Sequence, residues 1–204
     1  LLNKFNVVDH HFLIVTRAFE PQEALLTRED CAALLICLAE IDGLGFYNAG
    51  SAAGASQRHK HLQLIPLPAL SETQLPIEPL LRSVRMAGAT GLVPGLPFLH
   101  AYAPMDRDWI DPRRNGASLL LACYHSLLRA VGLSVETTST PYNLLVTRQW
   151  LVMVPRSQEF FEGISLNALG FAGALLVKDA AQLAILRKHG PMTVLQRVAL
   201  HQKS

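Results

Sequence analysis

The stretch Gly54–Pro66, GASQRHKHLQLIP, decides how this chain is read. It places His59, His61 and Gln63 at alternating positions directly after a run of small residues. Side chains alternate faces along a strand, so these three share one face and stand about 6–7 Å apart per step. Lys60, Leu62 and Leu64 share the other face, and the two leucines suit a core. Four readings compete for such a row: a polar wet side, a His-x-His metal chelate, general acid–base catalysis, and a histidine nucleophile. A metal would need a third strong ligand, and glutamine is a poor one. The loop NAGSAAGASQ, residues 48–57, favours attack at phosphorus. Glycine-rich backbone approaches a ligand closely and turns N–H groups toward an anion, while Ser56 and Gln57 add side-chain donors. Loop amides that hold non-bridging oxygens beside an imidazole are what in-line transfer requires.

Outward from this motif the periodicities predict an α+β chain. KFNVV and HFLIVTR, either side of Asp9-His10, predict a hairpin. Thr27 with Asp30 resembles a capping box ahead of the helix CAALLICLAEI, which Gly43 ends. LGFYNA and HKHLQLIPL predict strands, EPLLRSVRMAG a short helix, and PFLHAYAPM a strand. GASLLLACYHSLLRAVGL is a helix, and YNLLVTRQWLVMVPRS a second hairpin turning near Arg148-Gln149. GISLNALGFAGALLVKD fits strand or helix. Asp179 caps a helix over AAQLAILRKHG, and Pro191 starts the last one. NVVDHHFLIVTR and NLLVTRQWLVMVPR echo each other as Asn, apolar run, polar turn, apolar run, Arg, which suggests two related halves.

Composition bounds the function. The 204 residues are 50% hydrophobic and 17% charged, as in a globular chain long enough for a core. A net charge of +2 gives no argument for nucleic acid. No apolar run reaches membrane length: Glu40 and Asp42 break one candidate, His125 and Arg129 the other. Cys31, Cys37 and Cys123 form no CxxC, and reduced thiols in a cytoplasmic protein are expected. The chain opens on a β-rich run without Met, and a missing upstream segment is expected. Trp109 and Trp150 are expected in the core, not as stacking platforms for a base.

NAGSAAGASQRHKHLQ closely resembles the active-site segment of the diadenosine tetraphosphate phosphorylases, or ATP adenylyltransferases. These belong to the histidine-triad superfamily, in its galactose-1-phosphate uridylyltransferase-like branch, which carries H-x-H-x-Q where hydrolases have a third histidine. NKFNVVDHHFLIVTRAFEPQ and YNLLVTRQWLVMVPRS…GISLNALGFAG resemble the same family's N-terminal hairpin and C-terminal half. Arg58 departs from the proline expected there.

The resemblance implies an α+β, histidine-triad-like fold of two related halves, each with an antiparallel sheet and packed helices. It implies a catalytic half over 1–70, a connection over 71–95, and a half over 96–204 that completes the nucleotide site. It implies phosphorolysis of diadenosine tetraphosphate to ATP and ADP through a nucleotidyl-histidine. His61 is then the nucleophile, Gln63 contacts the phosphoryl group, and His59 orients its neighbours. The implied substrate contacts are Asn3, Lys4, Asn48, Gly54, Ala55, Ser56 and Gln57, with Thr147, Arg148 and Met153 from the second half. The implied partners are diadenosine polyphosphate, ATP, ADP and phosphate, with neither nucleic acid nor membrane. No tightly bound cofactor or protein-held metal is implied, and Mg²⁺ is expected at most as a companion of the polyphosphate. The alternatives are a hexose-phosphate uridylyltransferase, an adenylyl-sulfate phosphorylase, or a non-catalytic nucleotide-binding module.

Overall fold

The computed structural model describes residues 1–3, 9–67, 74–137 and 140–202. Its first helix, α1 (Arg28–Glu40), begins where the capping pair predicts. The Thr27 hydroxyl accepts from the Asp30 N–H at 3.2 Å, and the Asp30 carboxylate accepts from the Thr27 N–H at 2.8 Å. Two N–H groups that the helix itself cannot satisfy are thereby paired. Cys31, Leu34, Leu35 and Leu38 recur at helical spacing and are all buried. Burial of each such leucine contributes about 1.5–3 kcal/mol.

The helix packs on an antiparallel sheet. Its strands are β1 (Phe12–Val15), β2 (Gly43–Ala49), β3 (His61–Pro66), β4 (Arg85–Ala87), β5 (Thr90–Leu92), β6 (Ala101–Pro104), β7 (Tyr142–Val146) and β8 (Trp150–Pro155). They lie in the order β1-β3-β2-β7-β8-β6-β5-β4. The two halves therefore do not keep separate sheets. β2 pairs with β7 from Gly45↔Val146 to Ala49↔Tyr142, and one sheet runs through both. Both strands are buried along their whole length, so each needs a neighbour on either edge.

A pair of short strands, β9 (Phe160–Phe161) and β10 (Ile164–Ser165), lies apart from the sheet. The remaining helices are α2 (Glu78–Leu81), α3 (Gly116–Ala130), α4 (Ala168–Ala172), α5 (Ala180–His189) and α6 (Pro191–Val198). α1 and α3 cover one face of the sheet, with Tyr47, Leu62, Leu64, Leu144 and Met153 beneath them. α2, α4 and α6 cover the other, over Phe46, Ile65, Leu145, Val152 and Val154.

Two expectations shift. The helix read over EPLLRSVRMAG stops at Leu81, because Arg85–Ala87 pairs with Thr90–Leu92 instead. Gly88, at φ 70°, makes the tight turn between those strands. In the first hairpin, residues 4–8 lie outside the described residues. The pairing that is described starts ahead of that run, with a Leu2↔Phe12 bridge and Asn3 N–H donating to the His11 carbonyl at 2.8 Å, a register different from one that turns at Asp9-His10. The segment left open between strand and helix supplies both β10 and α4. Asp179 caps α5 through the Gln182 N–H, and Pro191 opens α6, as predicted. No described helix is long and apolar enough to cross a membrane.

His100 gives the core a pH dependence. It is 1% exposed, donates from Nδ1 to the Phe98 carbonyl and accepts the Val93 N–H on Nε2, both at 2.8 Å. Only the neutral ring can do both. Burial lowers its pKa, opposed in part by the Phe98 hydrogen bond. Burial also lowers His11 and His125. With native pKa values below the unfolded one, the unfolded chain takes up protons first as pH falls. This stability is whole above the unfolded value, about 6.5, and is lost as pH drops through the native values. The urea midpoint is expected to be lower at pH 5.5 than at pH 7.5, with a smaller difference in His100→Gln. Equal midpoints for the unaltered protein would contradict this.

Candidate active site

His61 opens β3 and pairs with Val15 of β1. Its Nδ1 lies 2.9 Å from the His59 carbonyl. A carbonyl oxygen only accepts, so Nδ1 carries the hydrogen and the lone pair sits on Nε2. Gln63 follows at i+2 on the same sheet face, beside Leu13 and Phe46 in the register. His11 Nε2 lies 2.8 Å from Gln63 Oε1, and His11 Nδ1 is 3.4 Å from Asn3 Nδ2.

The other edge of His61 meets a wedge. The β2–β3 ladder runs from Gly43↔Pro66 to Phe46↔Gln63 and stops there. Beyond it the Gln22 carboxamide lies between the strands. Its Nε2 donates to the Asn48 carbonyl at 2.9 Å and the His61 carbonyl at 3.1 Å, and its Oε1 accepts the His61 N–H at 2.9 Å. Tyr47 holds the wedge in place, with its hydroxyl 2.5 Å from the Gln22 carbonyl and 2.9 Å from that of Ala24. Three backbone groups that strand separation would leave bare at this point are thereby paired by one side chain.

Lys60, one residue before His61, points to the helical face and is fully buried. Its ammonium meets Asp30 at 2.5 Å, Glu20 at 3.1 Å and the Leu25 carbonyl at 2.9 Å. Asp30 is thus both the capping residue of α1 and the counter-ion of Lys60. Removing either partner would strand a buried charge.

The loop before β3 is held from both sides. Gly50 and Gly54 have φ of 92° and 86°, and Ser51–Ala53 forms a 3₁₀ turn between them. A Cβ on Gly54 would meet the Leu166 carbonyl at 2.5 Å, so no other residue fits. The Gly54 and Ala55 N–H groups close the turn onto the Ser51 and Gly50 carbonyls. Ser56 and Gln57 are exposed. Beneath the loop, Asn143 Nδ2 donates to Asn48 Oδ1 and to the Ala53 carbonyl, each at 2.8 Å. Asn48 Oδ1 also accepts the Ala168 N–H at 3.0 Å. Arg156, 1% exposed, donates to Asn143 Oδ1 at 2.5 Å and to the Leu166 carbonyl at 3.1 Å. Burial lowers its pKa to about 10, which leaves it charged at neutral pH.

The structure therefore brings His61, Gln63, Asn48, Asn3 and the 54–57 loop to one region of the first half. Lys4 lies outside the described residues. His59 does not continue β3: it bridges Pro21, and its Nε2 lies 3.0 Å from Thr16 Oγ1 and 3.1 Å from the Ala18 carbonyl. It reaches His61 through its backbone carbonyl and not its ring.

Three residues expected from the second half are placed elsewhere. Met153 faces α1 and α3, because it neighbours Val152, which shares the Gln63 face through Leu145 and Phe46. Arg148 caps α1 by donating to the Leu38 and Ala39 carbonyls at 2.6 and 3.1 Å. Thr147 Oγ1 accepts the Gln149 and Trp150 N–H groups and shapes the hairpin turn. Trp150 is buried in the core, as expected. Among the described residues, no group of three His, Cys, Asp or Glu could hold a metal ion.

Gln22, His11, Asn143 and Arg156 were missed as site residues. A signal existed for the last two, since they are the Asn and Arg that frame the echoed hairpin, and they meet at its open end. His11 directly precedes β1, the strand that pairs with Gln63, so extending the register by one residue could have found it.

Comparison with known families assigns both halves in order. Residues 1–83 match the Ap4A phosphorylase N-terminal domain, and residues 94–201 match the ATP adenylyltransferase C-terminal domain. Diadenosine 5',5'''-P1,P4-tetraphosphate phosphorylase 2 of Saccharomyces cerevisiae is 32% identical over 90% of this chain. The chain spans 63% of that relative's length. Two crystal structures of yeast Ap4A phosphorylase Apa2 superpose over the whole chain and 74% of their own. The AMP complex gives a TM-score of 0.83 at 31% identity, and the Ap4A complex 0.81 at 27%. With its α+β architecture and both halves matched, the chain belongs to the Ap4A phosphorylase (ATP adenylyltransferase) family.

Proposed function

We propose that this protein transfers an adenylyl group from diadenosine tetraphosphate to inorganic phosphate, with His61 as the covalent carrier. The observation that carries this is the Nδ1–His59 carbonyl hydrogen bond, which fixes the tautomer whose Nε2 can attack. The likeness to a yeast diadenosine tetraphosphate phosphorylase, and to crystal structures of yeast Ap4A phosphorylase Apa2 in complex with AMP and with Ap4A, supports the choice of substrate.

In the first step Nε2 attacks the α-phosphorus of one adenylyl unit. A P–N bond forms, the bridging P–O bond breaks, and ATP leaves. In the second step a phosphate oxygen attacks the same phosphorus, the P–N bond breaks, and ADP forms. The ring keeps its Nδ1–H throughout, so the His59 carbonyl faces the charge that develops on the imidazole. A polyphosphate is a good leaving group without a strong acid, which a glutamine at position 63 cannot be. Gln63 donates instead to a non-bridging oxygen. Ser56 and Gln57 supply further donors, because Gly54 and Ala55 N–H groups are spent within the turn. Mg²⁺ would accompany the polyphosphate as part of the substrate and neutralise some of its charge. On this reading residues 1–70 carry the chemistry, and residues 96–204 complete the nucleotide site through the Asn143–Arg156 support of the loop. Three unpaired thiols fit a reducing compartment, and we place the reaction in the cytoplasm.

Two tests follow from the site. With phosphate, diadenosine tetraphosphate is expected to give ATP and ADP, and without phosphate turnover is expected to be very slow. Rapid formation of ATP and AMP in phosphate-free buffer would make the protein a hydrolase. Separately, substrate without phosphate is expected to leave an acid-labile adenylyl adduct on residues 54–66, visible by peptide mass. His61→Ala is expected to abolish the adduct and cut turnover by roughly a thousand-fold, about 4 kcal/mol of barrier. His59→Ala, which keeps the carbonyl, is expected only to weaken both. An adduct on His59 would overturn the assignment.

A further inference from the structure

Gln63 can present either end of its amide to a ligand, and the two ends do opposite things. The oxygen repels a phosphoryl oxygen, and the N–H₂ group binds it. His11 settles which end is presented. Continuing the β1–β3 register from Phe12↔Leu64 sets His11 across from Ile65, one step beyond Gln63. His61 lies two residues before Gln63 on the same face, so the two histidines flank it along the strand. With His11 Nε2 at 2.8 Å from Oε1, the amide oxygen is turned to His11 and the N–H₂ end is left for a ligand.

We propose that His11 is a positioning residue: as the Nε2–H tautomer it locks the Gln63 carboxamide so that its N–H₂ faces the group being transferred. The role rests on the reaction proposed above, but the lock itself does not. Three observations support it. His11 is 3% exposed and its ring lies 5.9 Å from Phe46, so it has little room to turn. Asn3 Nδ2, 3.4 Å from His11 Nδ1, is a donor matched to an unprotonated Nδ1. Burial also lowers the His11 pKa, more than the Gln63 hydrogen bond raises it, and the nearby His61 adds to the lowering. A neutral ring with the hydrogen on Nε2 satisfies both neighbours at once. Free rotation of the amide would waste the wrong-facing half of Gln63 orientations and place an acceptor against the phosphoryl oxygens.

The test has two arms on the intact protein. In the first, ¹⁵N imidazole shifts report the tautomer of His11 without any substrate, and Nε2–H is expected. An Nδ1–H tautomer would reverse the amide and overturn the proposal whatever the protein catalyses. In the second, single-turnover adenylyl transfer is measured in a double-mutant cycle. His11→Phe is expected to slow transfer about ten- to a hundred-fold with KM little changed, and His11→Gln, which restores an N–H donor, to recover most of it. In a Gln63→Ala background, His11→Phe is expected to cost almost nothing more. Equal slowing in both backgrounds would mean that His11 does not act through Gln63. Absence of transfer in the unaltered protein would refute the proposed function, while the tautomer would still decide the lock.

Discussion

A continuous antiparallel sheet wants to zip, and the site exists where one side chain prevents it. The Gln22 carboxamide takes the place of the ladder between Asn48 and His61, and satisfies three backbone groups that strand separation would leave bare. An unpaired buried backbone group costs about 1–3 kcal/mol, so the opening is stable only because the wedge fits. His61, the proposed nucleophile, consequently stands at a gap in the sheet, with Val15 of β1 opposite it on the other side. Everything else at the site braces that gap. Lys60 anchors the chain just before His61 to the first turn of α1. The Asn48–Asn143–Arg156 network anchors β2, β7 and the glycine loop to one another.

This bracing joins the second half to the site. β2 and β7 form the seam of the sheet, and the Asn at the same level of each strand joins its partner. Arg156 closes the arrangement from the end of β8 and reaches the chain entering α4. The loop therefore gets its shape from both halves, although all of its residues come from the first.

Much of this was legible in the sequence. Thr27, Asp30, Asp179 and Pro191 mark helix starts because capping chemistry is local. The second hairpin and the His61–Gln63 face follow from strand periodicity. Other features depend on partners far along the chain. A lysine alternating with leucines gives no sign that Asp30 and Glu20 will neutralise it inside the core. Arg148 and Met153 look like ligand contacts by resemblance. Their neighbours, the end of α1 and the far face of the sheet, exist only once the two halves join. The β4–β5 hairpin was readable from the glycine at its turn but was masked by a helix-like run of leucine and arginine.

In the proposed reaction phosphorus passes through a bond to His61, in two displacements and not one. The stereochemistry at that atom tests it most directly. Each in-line displacement inverts the phosphorus, so two restore its configuration. With diadenosine tetraphosphate made chiral by sulfur at one α-phosphorus and phosphate as acceptor, the ADP product is expected to retain configuration. Inversion would mean that phosphate attacks the substrate directly, and that the tautomer fixed by the His59 carbonyl serves some purpose other than nucleophilic attack.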